Sequence, residues 1–252
     1  MKEKELTVIG HIEELRKRII IVLIFFLFAL IAGLFLARPL VLFLQAAPEA
    51  AHIPMNAFKL TDPLSVYFKF AFLAAMILTS PLALYQIWAF ISPGLYPHER
   101  KVTLAYIPIS VLLFLGGLAF SYFLLFPLVI HFIGRLSDLM NITEMYGINE
   151  YFSFLFRMTI PFGFLFQFPV IIMFLTRLGI LTPMFLVKIR KYAYFVLLVI
   201  AGLITPPELI SHLMVTAPLF LLYEISILIS RFSYKKVLKA QLKQENEELM
   251  QE

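Results

Sequence analysis

Residues 19–37 read IIIVLIFFLFALIAGLFLA, nineteen consecutive positions without a charged or amide side chain. A helix rises 1.5 Å per residue, and about 20 apolar residues cross the ~30 Å of hydrocarbon in a bilayer, so this run alone is long enough to span. The rest of the chain is built for the same solvent. Of 252 residues, 61% are hydrophobic and 15% charged, 27 are Phe, and the mean hydropathy is +0.90. Soluble domains carry about 25% charged residues. The composition therefore gives an all-α integral membrane protein. The absence of cysteine excludes disulfides, thiolate metal sites and cysteine nucleophiles. A net charge of +5 matters here through its distribution along the loops, and implies no nucleic-acid partner.

Six spans follow from the apolar runs: Ile19 to Ala37, Leu64 to Ile91, Val102 to Ile130, Tyr151 to Thr176, Tyr192 to Ile204, and Leu209 to Ile229. The first lies behind Arg16, Lys17 and Arg18, as a signal peptide would. Its core exceeds the ~7–15 residues of a signal sequence, which favours an uncleaved helix. The organisation expected is one six-helix transmembrane domain over 1–234 and a cytoplasmic tail over 235–252.

Basic residues set the orientation. Residues 1–18, the connectors 92–101 and 177–191, and the tail from 230 together hold sixteen Lys and Arg. The alternate set of connectors holds three: Arg38, Lys59 and Arg135. Both termini are therefore expected in the cytoplasm, in a multi-pass protein of the inner membrane. Lys69 and Arg157 fall inside spans, about two turns from the outer ends, and are expected to snorkel to the interface.

Prolines at 81, 108, 127, 161, 169 and 218 each remove a backbone donor, so a curved bundle is expected. Ala29, Gly33 and Ala37, and likewise Gly117 and Ser121, are spaced for close helix packing. The fifth span, with thirteen residues, reaches only ~20 Å. The turn Thr205-Pro206-Pro207-Glu208 then leads straight into span six, predicting a short antiparallel hairpin from the last two helices.

Chemistry is scarce. No phosphate-cradling glycine loop is present, and the five histidines show no pair at metal-ligand spacing. Neither cofactor, metal nor catalytic nucleophile is indicated, so the chain is not expected to be an enzyme. Acidic residues outside the tail are more informative. In HIEELRKRI, residues 11–19, Glu14 stands four before Arg18, a spacing worth about 0.3–0.5 kcal/mol as a helical ion pair. In SPGLYPHERK, residues 92–101, Glu99 precedes Arg100 and Lys101 where span three begins, and taken alone it reads as a first-turn carboxylate favoured by the helix dipole.

Together these stretches resemble one family. HIEELRKRI resembles the N-terminal signature of the TatC family, the multispanning subunit of the twin-arginine protein translocase, and FISPGLYPHERK resembles its first cytoplasmic-loop signature. LITPPE at 203–208 and Phe166-Gln167-Phe168-Pro169 fall where that family has related motifs. The resemblance extends to about residue 234. It implies recognition of folded cargo proteins bearing an Arg-Arg signal peptide, and their export by the proton-motive force.

By motif position, the signal-recognising glutamates fall on Glu14 and Glu99. Carboxylates suit this task because a guanidinium is planar, permanently charged and able to donate two parallel hydrogen bonds. Arg16 and Arg100 would keep both acids ionised and discourage stray cations. Pro93 would shape the loop, and Leu95 and Tyr96 would offer apolar contact to the signal peptide. Gln167 departs from the carboxylate that many relatives carry there. An amide at that depth bonds either within the chain or to a partner's helix. Glu224 is placed to pair with Arg231 or to face partner subunits. Gln167, Glu224, Pro206 and Glu208 are thus the candidates for partner contact. The family implies TatA-type and TatB-type single-span subunits in an oligomeric complex, with lipid against the basic start of the tail. The rival readings are a small-solute secondary transporter and a scaffold for single-span proteins. A transporter usually places ionisable groups or broken helices at the midplane, where only Gln167 is clearly polar.

Overall fold

The computed structural model describes residues 8–47, 50, 55–94, 100, 103–143, 145–205 and 209–249. Its helices are α1 (Val8–Gln45), α2 (Asp62–Ile91), α3 (Tyr106–Phe120), α4 (Phe126–Leu139), α5 (Ile148–Leu165), α6 (Phe168–Arg177), α7 (Pro183–Lys188), α8 (Arg190–Ile204) and α9 (Leu209–Leu249). Among the described residues, five stretches are long and apolar enough to cross a membrane: Gly10–Gln45, Asp62–Ile91, Tyr106–Leu139, Ile148–Arg177 and Leu209–Lys235. The protein is therefore an all-helical, multi-pass membrane protein. Two short strands, β1 (Met55–Asn56) and β2 (Tyr146–Gly147), pair in parallel, with Met55 opposite Tyr146.

Prolines explain where long helices change pitch. Pro127 has no N–H to return to the carbonyl of residue 123, and just before it Ser121–Leu125 winds as a π-helix, with the Phe126 N–H bonded to the Ser121 carbonyl. Beyond this segment α4 continues to Leu139, through residues 131–139 that were expected to lie in a connector. Pro169 acts likewise on Leu165, and the helix breaks at Phe166 and Gln167 before restarting as α6. Pro81, Pro161 and Pro218 lie inside helices that continue through them.

Two compact units divide the chain, residues 1–112 with 134–155 and residues 113–133 with 156–252. In the first, α1 and α2 run antiparallel along their length. His11 stacks against Phe90 at 4.5 Å, Arg18 reaches Gln86, Phe26 meets Phe72 edge-on at 5.3 Å, and the Tyr67 hydroxyl donates to the Leu34 carbonyl. The expected small-residue stripe forms this seam: Ala29, Gly33 and Ala37 are buried. A Cβ at Gly33 would stand 2.3 Å from the Ala71 carbonyl oxygen, so only glycine permits this approach.

Near the start of α2, Asp62 is 1% exposed and accepts the backbone N–H groups of Phe58 and Lys59 at 3.0 and 2.8 Å. Lys69 is half-buried, and its Nζ donates to Asn149 Oδ1 at 2.6 Å and Ser153 Oγ at 2.5 Å in the first turns of α5. Arg157 is exposed.

In the second unit, Gly117 lets α3 close on α5, with its missing Cβ 2.5 Å from the Phe162 carbonyl oxygen, and Phe120 packs on Phe162 and Phe166. Gly179 ends α6 at φ +72°, the left-handed region that glycine supplies at a helix C-terminus. α8 and α9 form the expected antiparallel hairpin. His212 lies against Gly202 beside the turn, and Tyr194 stacks on Phe220 at 4.3 Å farther along. α8 is short, at 15 residues. α9 is not: it runs 41 residues, through the expected end at Ile229 and into the tail. Lys-rich and Glu-rich residues propagate a helix well once the apolar part has nucleated it.

Candidate functional site

The candidate residues of the first unit gather where the N-terminal part of α1 meets the C-terminal end of α2. The motif HIEELRKRI lies within α1 itself, continuous with the apolar run. Helical spacing then decides which side chains meet. Glu14 Oε1 accepts from Arg18 Nε at 3.1 Å and Nη2 at 2.5 Å, the pairing its spacing predicted. The third arm of the fork, Arg18 Nη1, donates to Gln86 Oε1 on α2 at 3.1 Å. The Glu14 and Arg18 side chains are 25% and 22% exposed. Glu14 thus has one oxygen engaged by its own arginine, and access to solvent beside it. Arg16 is exposed, and Lys17 makes a loose 3.5 Å pair with Glu13.

The connector after α2 is closed at its base. α2 passes into a 3-10 turn at Ser92–Gly94, where the Ser92 hydroxyl donates to the Ala89 carbonyl. Trp88 Nε1 donates to Thr103 Oγ1 at 3.1 Å, and that hydroxyl donates to the Arg100 carbonyl at 3.3 Å. Arg100 Nη2 returns to the Pro93 carbonyl at 3.3 Å. Pro93 and Arg100 are both exposed. Glu99, Leu95 and Tyr96 lie outside the described residues. What the structure brings together is Glu14, Arg18 and Gln86 on one side, and Trp88, Thr103, Arg100 and Pro93 on the other. Arg18 was visible as a partner by spacing alone. Gln86, Trp88 and Thr103 had no such signal, since each acts across a tertiary contact.

In the second unit, Glu224 does not pair with Arg231. Its carboxylate accepts from Arg190 Nη2 at 2.9 Å and from the Tyr194 hydroxyl, both on α8. Arg231 stands seven residues on, about 10 Å along the same helix axis, whereas the antiparallel neighbour brings a cation directly alongside. Gln167 is 8% exposed at the α5–α6 break, where its carbonyl takes the N–H groups of Val170 and Ile171 as α6 begins. A buried hydroxyl pair, Thr176 with Ser230 at 2.8 Å, joins α6 to α9, and the Tyr223 hydroxyl donates to the Leu186 carbonyl. Pro206 and Glu208 lie outside the described residues.

Comparison with known proteins decides the family. The profile described as "Sec-independent protein translocase protein (TatC)" matches residues 10–218. The chain belongs to the TatC family. It is 62% identical, over all of this chain and 99% of the relative, to the Sec-independent protein translocase protein TatC of Halalkalibacterium halodurans. It is 62% identical over 240 residues, 95% of this chain and 94% of the relative, to TatCy of Bacillus subtilis. A crystal structure titled "Twin Arginine Translocase Receptor- TatC" superposes with a TM-score of 0.79 at 32% identity, covering 88% of this chain and 99% of that one. The α1–α2 seam, the closed connector and the α8–α9 hairpin thus belong to a TatC subunit of a Sec-independent protein translocase, a transport component rather than an enzyme.

Proposed function

We propose that this TatC chain is the signal-peptide receptor of its translocase, and that Glu14 and Glu99 grip the two guanidinium groups of an Arg-Arg signal peptide. One observation carries the reading. Glu14 is held in register by Arg18, which has a second acceptor in Gln86. An incoming guanidinium takes over Glu14 Oε1 while Arg18 keeps Gln86, so the arginine displaced from the carboxylate is not left unpaired. The ends of the connector bearing Glu99 are tied at Trp88–Thr103 and Arg100–Pro93. A partly exposed charge-assisted bond contributes about 1.5–3 kcal/mol, so two at fixed spacing select a doublet that one would not. Arg16 and Arg100 discourage stray cations, and Pro93, Leu95 and Tyr96 shape and line the loop.

The same reading places both termini in the cytoplasm, since the basic connectors fall on one side when six helices span, with α8 as a short fifth. The domain then runs to about 234, with 1–18, 92–101 and 177–191 facing the cytoplasm and 235–252 as tail. The crystallographic relative's title names a twin arginine translocase receptor, which supports carrying that role to this chain. TatA-type and TatB-type single-span subunits complete an oligomeric assembly, with Gln167, Glu224, Pro206 and Glu208 as contact candidates, and the proton-motive force drives export.

Photocrosslinking and peptide binding test this. Glu99→Ala abolishes crosslinking to an Arg-Arg precursor and Glu14→Ala weakens it about tenfold, while Lys-Lys peptides bind poorly to the unaltered protein. Normal precursor binding by both stably inserted variants refutes the assignment.

A further inference from the structure

An open groove of about 430 Å³ lies in the second unit, where the start of α7 faces α9. Pro183, Met184, Leu228 and Phe232 give it apolar walls, and Arg231 and Lys235 stand on its rim. The two cations are four residues apart, one helical turn, so they share a face with Leu228 behind them. Both are exposed, and neither meets a carboxylate among the described residues. Met184 and Phe232 are 82% and 69% exposed. The apolar run of α9 ends at Ile229, and Ser230 and Arg231 follow it directly. The first charges after an apolar span stand where hydrocarbon gives way to headgroups, and on α9 these are Arg231 and Lys235.

We infer that this groove binds an anionic phospholipid, with its phosphate between Arg231 and Lys235 and the upper part of one acyl chain along Leu228, Met184 and Phe232. The chemistry selects this occupant. An arginine fork and a lysine one turn away match a phosphodiester at interfacial depth, and exposed Met and Phe beside them match a chain rather than a water-soluble anion. α9 is helical to Leu249, which carries Glu245 about 15 Å along the axis from Lys235 at 1.5 Å per residue.

The test uses the full chain purified in neutral detergent, titrated with palmitoyl-oleoyl-phosphatidylglycerol and with the phosphatidylcholine of the same chains, and read by native mass spectrometry. Each interfacial cation is worth close to fivefold in binding, so Arg231→Gln with Lys235→Gln should weaken phosphatidylglycerol retention about thirty-fold. A charge-matched control, Lys59→Gln with Arg135→Gln, should leave it unchanged. Glycerophosphoglycerol, the same headgroup without chains, should compete poorly. Three results overturn the proposal: equal retention of both lipids, equal loss in the control, or full competition by the chainless headgroup. Met184→Gln provides a check free of any charge change. It should lower lipid retention severalfold without altering the elution profile, and unchanged retention would count against the acyl contact.

Discussion

Two carboxylate–arginine pairs in this protein look alike in composition and differ in what they join. Glu14 and Arg18 belong to one helix, four residues apart, and only the far side of the arginine touches another element. Glu224 and Arg190 belong to different helices, and the Tyr194 hydroxyl binds the same carboxylate. An intrahelical pair survives without tertiary packing, so giving up the carboxylate to a ligand leaves the fold intact. An interhelical pair with a second donor fastens α8 to α9, so the same exchange would loosen the hairpin. On the proposed reading Glu14 exchanges its partner, while Glu224 ties α8 to α9.

Three substitutions break or sharpen this contrast. The largest effect is expected from Gly33→Ala. Its Cβ would meet the Ala71 carbonyl oxygen at 2.3 Å, and backbone cannot yield as a flexible side chain does. A loss of about 2–3 kcal/mol in a detergent unfolding titration is expected, with loss of Arg-Arg peptide binding as α1 and Gln86 separate. Next comes Glu224→Ala, which leaves Arg190 and Tyr194 without their acceptor. With both charged side chains more than a third exposed, solvent reduces the cost to about 1 kcal/mol. Thermal melting should fall by a few degrees while peptide affinity holds, and an equal loss in Glu14→Ala would erase the distinction. The smallest effect is expected from Gln86→Ala. It removes the second acceptor of Arg18, so peptide affinity should fall about twofold with stability changed by under about 0.5 kcal/mol. An affinity gain would mean that Gln86 restrains Arg18 rather than receiving it.

The sequence made the long spans plain because apolar runs of this length have one stable solution in lipid. The Glu14–Arg18 pair was also legible, since helical spacing is a local property. What required coordinates were partners distant along the chain. The acceptors of Lys69, Asn149 and Ser153, come from α5, eighty positions later. Glu224 seemed to have a cation at Arg231, yet the fold brought Arg190 closer. Boundaries failed for a different reason. Residues 131–139 of α4 are mixed in polarity, and hydropathy reads such sequence as connector even where an existing helix simply propagates. At Pro127 and Pro169 the sequence showed that a bend was due, while the form it takes, a π-segment in one case and a two-residue break in the other, depends on packing.

The unbroken course of α9 has a mechanical consequence. Its 41 residues extend about 60 Å, twice the hydrocarbon thickness, so about half of its length exceeds what a bilayer covers. Such a rod is a lever: tilting its apolar half by ten degrees swings the free end several ångströms without any hinge in between. A spin label near the tip would consequently magnify sub-ångström rearrangements deep in the bilayer into a distance change that a spectrometer can read.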